Sequence, residues 1–75
     1  MKVFRLYSSE GCHLCEEALA LCEIVQLTEK IEVIDIVDNE QYFEEYKYSI
    51  PVLERVHDNK KLYWPFNVEK IKEIV

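Results

Sequence analysis

One glycine and two prolines among 75 residues leave almost nothing for flexible linkers, and they exclude collagen-like or glycine-rich architectures. No apolar run approaches the roughly 18–20 residues that span a bilayer, so no transmembrane helix is expected. The start, Met1-Lys2-Val3-Phe4-Arg5, does not read as a signal peptide, because Arg5 and then Glu10 interrupt any apolar core. Basic residues are also scarce: 9 Lys and Arg face 15 Asp and Glu, for a net charge of −6. Such a surface repels phosphate backbones and anionic lipid, so neither nucleic acid nor a membrane is expected as a partner. A cytoplasmic setting is expected, with reduced thiols and a monomeric chain.

What is present is a globular composition, 49% hydrophobic and 32% charged. The length allows one small domain over residues 1–75 and no second core. Three cysteines are an odd count, which does not suit a disulfide-stapled secreted scaffold. Cys12 and Cys15 are spaced C-x-x-C and Cys22 stands apart. In a cytosolic chain that spacing means redox chemistry, metal binding or chance.

The rest of the chain supplies a context. Lys2–Tyr7 has the β-formers and the shortness of a strand, broken by Ser8-Ser9-Glu10-Gly11. From Cys12 onward, Leu14, Ala18, Leu21, Cys22 and Val25 mark one stripe of an amphipathic helix reaching about Leu27. Ile31–Val37 is β-branched and reads as a largely buried strand. Asp38 followed three residues later by Gln41 is a capping-box pattern for a short helix to about Tyr46. After the Ser49-Ile50-Pro51 turn, Val52–His57 and Lys60–Tyr63 read as a hairpin around Asp58-Asn59. Trp64-Pro65-Phe66 breaks the chain, and Asn67 can cap a last helix ending near Val75.

The resulting order is β-α-β-α-β-β-α. Its βαβ start requires a parallel strand pair, and its hairpin adds an antiparallel pair to the same sheet. A four-stranded mixed sheet in a three-layer, thioredoxin-like sandwich is the expected fold. In this frame Cys12 falls at the start of the first helix, where the leading amide N–H groups have no internal partners. Those donors, with the positive end of the helix dipole, favour thiolate over thiol, and thiolate is the attacking form. Cys15 lies one turn further on the same face, placed to resolve a mixed disulfide on Cys12 by closing the internal bond. The plain structural alternative is that two small apolar thiols merely pack under a helix start.

The segment Leu6-Tyr7-Ser8-Ser9-Glu10-Gly11-Cys12-His13-Leu14-Cys15-Glu16-Glu17-Ala18 resembles the active-site segment of glutaredoxin-like proteins, in particular a small Gly-Cys-x-Leu-Cys branch. Ser49-Ile50-Pro51-Val52 and Trp64-Pro65-Phe66 fall where that branch has matching features. The resemblance implies that Cys12 is the nucleophile and Cys15 the resolving thiol. It also implies that Pro51 is a cis-proline facing them, with the free N–H and C=O of Ile50 open to an extended thiol substrate. Departures bear on the substrate. His13 stands where dithiol glutaredoxins usually carry Pro, and Ser9 where they carry a Lys that helps hold glutathione. Tyr63-Trp64-Pro65-Phe66-Asn67 replaces their Gly-Gly-x-Asp-like turn, so anionic glutathione has few evident partners.

Other residues complete the expectation. His13, when protonated, places a cation beside the Cys12 thiolate, while Glu10, Glu16 and Glu17 oppose it. Trp64 or Tyr7 can border a substrate groove, although the ring pair Trp64 and Phe66 also suits simple core packing. Most of Tyr42, Phe43, Tyr46 and Tyr48 should cover the sheet. Cys22, about 10 Å beyond Cys15 along a helix, is out of disulfide range and reads as a core thiol. His57 reads as solvated. One cysteine pair is too few for a structural zinc site, so no metal is expected, and no organic cofactor is required. The sequence thus points to a thiol–disulfide oxidoreductase acting on a disulfide-containing protein or small thiol substrate and reset by an external thiol reductant. The other classes left open are a non-catalytic thioredoxin-like binding module and an iron–sulfur or metal carrier.

Overall fold

The computed structural model describes residues 2–75. Its elements are β1 (Phe4–Ser8), α1 (His13–Ile24), β2 (Ile31–Asp35), α2 (Glu40–Tyr46), β3 (Val52–Arg55), β4 (Lys60–Tyr63) and α3 (Val68–Ile74), with 3-10 turns at Thr28–Lys30 and Ile36–Asp38. This is the expected order, and the four strands form one mixed sheet in the order β2-β1-β3-β4. β1 runs parallel to β2, from Phe4 opposite Ile31 to Ser8 opposite Asp35. It runs antiparallel to β3, with Tyr7 opposite Val52, and β3 continues the antiparallel pairing to β4, with Val52 opposite Tyr63.

Strand alternation divides the core between two faces. Phe4, Leu6 and Leu53 point to the layer of α1 and α3, where they meet Ala18, Cys22, Ile71 and Ile74. Tyr7 and Val52 point the other way and meet Ile36 and Tyr46 under α2. The molecule is therefore a three-layer α/β/α sandwich. Leu6, Leu53, Ile71 and Ile74 are at most 1% exposed, and burial of each such side chain contributes about 1.5–3 kcal/mol.

Several boundaries differ from the sequence expectation, each for a local reason. α1 stops at Ile24 rather than near Leu27. Gln26 adopts a left-handed conformation (φ 63°), so that its N–H reaches Glu23 O at 3.0 Å and the Leu27 N–H reaches Cys22 O at 3.0 Å. This pairing is a Schellman motif, here with glutamine in the place glycine usually holds. The buried Leu27 side chain anchors it to the core. The stripe of α1 is also rotated: Leu14 is exposed, and Cys15, Ala18 and Cys22 face inward. α2 is capped by Asn39 and not by Asp38, since Asn39 Oδ1 accepts from the N–H groups of Gln41 (2.9 Å) and Tyr42 (3.2 Å). β2 lies at the sheet edge rather than inside it, which leaves Val33 exposed, and Val37 just beyond is exposed as well. β3 ends at Arg55, and the hairpin turns through residues 56–59, with Asn59 at φ 61°. Tyr42 and Tyr46 do cover the sheet, packed on Tyr7, whereas Phe43 and Tyr48 face outward.

Candidate active site

Cys12 sits immediately before α1 in extended conformation (φ −80°, ψ 104°) and is the helix N-cap. Its Sγ accepts a hydrogen bond from the Cys15 backbone N–H at 3.1 Å, which satisfies one of the free donors of the first turn. Sulfur thus fills the place that an oxygen of Ser, Asp or Asn usually takes. The approach is shaped by Gly11, whose φ of +78° few other residues adopt, and by the Cys12 N–H donating to Ser9 O at 3.1 Å. Cys12 and Cys15 are joined as a disulfide, with Cα atoms 5.2 Å apart. The two sulfurs differ in access: Cys12 is half-buried, and Cys15 is only 5% exposed. A reacting molecule therefore meets Cys12, and Cys15 lies beneath it.

A shallow groove runs beside the pair. Leu19 and Val33 line it as apolar contacts beside Gly11, Cys12 and Cys15, and the exposed Glu10 and Glu16 stand at its rim. His13, the first residue of α1, is 86% exposed in its side chain and lies 4.0 Å from Glu16 and 3.9 Å from Glu17. It is adjacent to Cys12 in the chain, and its ring faces the acidic ridge.

The sheet register brings further expected residues to this end of the molecule. One step past the Tyr7–Val52 pair are Ser8 and Pro51, and one step past Val52–Tyr63 are Pro51 and Trp64. Pro51 and Trp64 thus lie at the sheet end from which the loop to Cys12 departs. Pro51 is buried, and its peptide bond with Ile50 is cis, as is that between Trp64 and Pro65. The Ile50 N–H is not free as expected: it donates to Tyr46 O at 3.1 Å, closing the end of α2. Trp64 is half-buried, edge-to-face with Phe66 at 5.1 Å between centroids, and packs on the α1–α3 core.

Tyr7 is not brought to the cysteines. It is 2% exposed on the α2 face, stacked on Tyr46 at 4.4 Å, and its hydroxyl donates to Glu54 Oε1 at 2.5 Å. Burial, and then this bond to Glu54, push the Tyr7 hydroxyl well above its ordinary range. Glu54 is a buried carboxylate that the strand pattern of Val52–His57 does not single out. It is 3% exposed, accepts from Asn59 Nδ2 at 3.0 Å and lies 3.8 Å from Arg5. A charged residue flanked by buried Val52, Leu53 and the cross-strand Arg5 was the available signal. Cys22 is fully buried, and burial pushes its thiol up to about 11. His57 is exposed. Among the described residues, no group of three or more His, Cys, Asp or Glu side chains is arranged to hold a metal ion, and no helix is long and apolar enough to cross a membrane.

Comparison with known proteins agrees with this architecture. Protein XcR50 of X. campestris, at 24% identity, matches the fold in its X-ray structure with a TM-score of 0.83 over 93% of this chain and 91% of its own. Its solution structure matches with a TM-score of 0.82 over 95% and 88% of the two chains. Protein Ne2328 of Nitrosomonas europaea is 33% identical, with a TM-score of 0.79 over 96% of this chain and 88% of its own. No match was found among curated proteins. These likenesses establish the thioredoxin-like fold. A family model, that of the glutaredoxin-like domain (DUF836), matches residues 4–75, from the first residue of β1 to the last of the chain. With a cysteine pair at disulfide distance at the start of the first helix of that fold, the chain belongs to the glutaredoxin-like domain family.

Proposed function

We propose that this protein is a thiol–disulfide oxidoreductase that uses Cys12 and Cys15 as a dithiol. The observation that carries this reading is the unequal placement of the two sulfurs, with the accessible one capping a helix and the other buried beneath it. In the reduced protein, the helix N-terminus and the Cys15 N–H stabilise a negative charge on Cys12 Sγ, which favours the thiolate. The thiolate attacks one sulfur of a substrate disulfide. The substrate S–S bond breaks, and its second sulfur leaves as a thiolate that takes up a proton. The Cys15 sulfur then attacks Cys12 Sγ, forming the internal disulfide and releasing the second substrate thiol. Two electrons pass from protein to substrate in each cycle. An external thiol reductant returns them by the reverse exchange.

Glutathione fits poorly as that substrate or reductant. The Ser9 and Tyr63–Asn67 positions offer neither the lysine nor the glycine turn through which glutaredoxins hold it. Asn67 Oδ1 is engaged as the cap of α3, accepting from the Lys70 N–H at 2.9 Å. A protein disulfide suits the open groove beside Cys12 better.

A redox titration of the purified protein, with thiol trapping and mass analysis at each poise, tests the reading. A reversible two-electron couple confined to Cys12 and Cys15 is expected. Failure of the two thiols to pair under mild oxidation overturns it and favours a binding module.

A further inference from the structure

The groove beside Cys12 carries a charge pattern that the exchange chemistry does not itself require. Glu10 and Glu16 stand at its rim, and no Lys or Arg is among the described residues lining it. Glu16 is 79% exposed in its side chain and Glu17, one residue on, is 53% exposed. Asp35 sits opposite Ser8 at the same sheet end, half-buried. Arg5, Lys61 and Lys47 are engaged elsewhere and do not neutralise this ridge. Arg5 lies three residues, about 10 Å, back along β1. It alternates with Leu6 onto the α2 face, where it faces Glu32 at 3.9 Å and Glu54 at 3.8 Å. Lys61 lies over the Tyr46 ring on the same face, and Lys47 is held by Glu44 at 3.1 Å. His13, next to Cys12 in the chain, can bear positive charge, but its ring already faces Glu16 and Glu17. Behind the rim, Leu19 and the exposed edge-strand residue Val33 offer an apolar wall next to the reactive sulfur.

We propose that the disulfide taken at this site is carried by a cationic polypeptide segment, with Lys or Arg beside its cysteine and an apolar side chain to lie against Leu19 and Val33. This rests on the oxidoreductase reading and names the substrate class. Single exposed ion pairs add little affinity. Several like charges around a reacting sulfur, on a chain of net charge −6, instead act on encounter, raising the approach rate of cations and lowering that of anions. The same field disfavours glutathione, which carries net negative charge, independently of its missing contacts.

The test is single-turnover oxidation of pre-reduced protein at pH 8 by two disulfide peptides of equal length, one with Arg flanking its cysteines and one with Glu. Acid quenching, alkylation and mass analysis give each rate constant. Each is divided by the same peptide's rate with dithiothreitol, which removes the effect of flanking charge on the disulfide itself. The normalised rate for the Arg peptide is expected to exceed that for the Glu peptide by about tenfold at ~20 mM salt, shrinking to about two- to threefold at ~0.5 M. In the double variant Glu10→Gln, Glu16→Gln the low-salt ratio falls toward one, and with both residues changed to Lys it inverts. Equal normalised rates in the unmodified protein, or a ratio unmoved by the variants, overturn the charge selection while leaving the oxidoreductase reading intact. Oxidation by neither peptide overturns both.

Discussion

The backbone N–H of Cys15 donates to Cys12 Sγ at 3.1 Å, so the resolving residue also holds the sulfur it is to displace. The C-x-x-C spacing produces this directly. An N-cap side chain accepts from the second or third helical residue, and Cys15 is the third residue of α1. The same spacing turns Cys15 inward against the core, where it is 5% exposed, and leaves Cys12 at the surface.

That asymmetry predicts different outcomes for the two serine variants. Reduced Cys15→Ser, offered a disulfide peptide, is expected to accumulate a covalent adduct on Cys12, visible as a mass increase lost on reduction. Reduced Cys12→Ser is expected to form no adduct and to exchange no faster than the uncatalysed background. An adduct on Cys15 in the latter variant would show that the two roles are reversed.

Under α2, the Tyr7 hydroxyl and Glu54 form a buried pair at 2.5 Å, with Asn59 as second donor. Tyr7→Phe removes one donor from a carboxylate that stays buried, an expected loss of about 1–3 kcal/mol in urea unfolding. Glu54→Gln keeps the shape and is expected to lose less than Glu54→Ala, which leaves the buried Tyr7 hydroxyl without its acceptor, whereas the exposed Asn59 amide can turn to water. Unfolding rather than thiol reactivity should report these changes, because Tyr7 faces the layer away from Cys12.

Cys22 gives the alkaline limb a definite sign. Its folded thiol is raised from 9.0 to about 11 by burial. The unfolded chain therefore ionises first, and the stabilising contribution is whole below pH 9 and is lost as pH rises toward 11. The slope from one such group is at most about 1.4 kcal/mol per pH unit. Cys22→Ala should flatten urea midpoints measured between pH 8 and 10.5, whatever its offset at pH 7. In the native protein, Cys22 should resist iodoacetamide at pH 8 and react once urea unfolds the chain.

The acid limb has the opposite sign. The Arg55 guanidinium, forked onto Asp58 at 2.9 and 2.6 Å, holds that carboxyl well below the usual carboxylate range. Its contribution is present above the ordinary value near 3.8 and declines as pH falls below it. Arg55 also donates to Ile74 O at 3.1 Å, so the pair ties the hairpin to the end of α3. Asp58→Asn is expected to lower the unfolding midpoint at pH 6 and to reduce its further fall between pH 4 and 3. Faster amide exchange in the last turn of α3 should accompany the change. An unchanged acid slope would remove Asp58 from the account.

The residue order alone determined the element order, the helix start at Cys12 and the buried state of Cys22, because helical and strand periodicities and caps are local properties of neighbouring residues. The glutaredoxin-like resemblance is legible for the same reason, since its main segment, Leu6 to Ala18, is contiguous and keeps its spacing on folding. Tertiary structure alone decided what depends on partners distant in the chain. Val33 is exposed because β2 became an edge strand, a fact of sheet order that its β-branched composition does not carry. Gln26 ends α1 in a left-handed conformation without a glycine to announce it, held there by Leu27 in a core that β1, β2, β3 and α3 build with α1. Tyr7 left the proposed groove because strand alternation turned it toward α2, where Glu54, 47 residues away, accepts its hydroxyl. The acidic rim is likewise a product of assembly. Glu10 and Glu16 frame the groove together with Val33, and it is the parallel pairing of β1 with β2 that sets Val33 beside the cysteines.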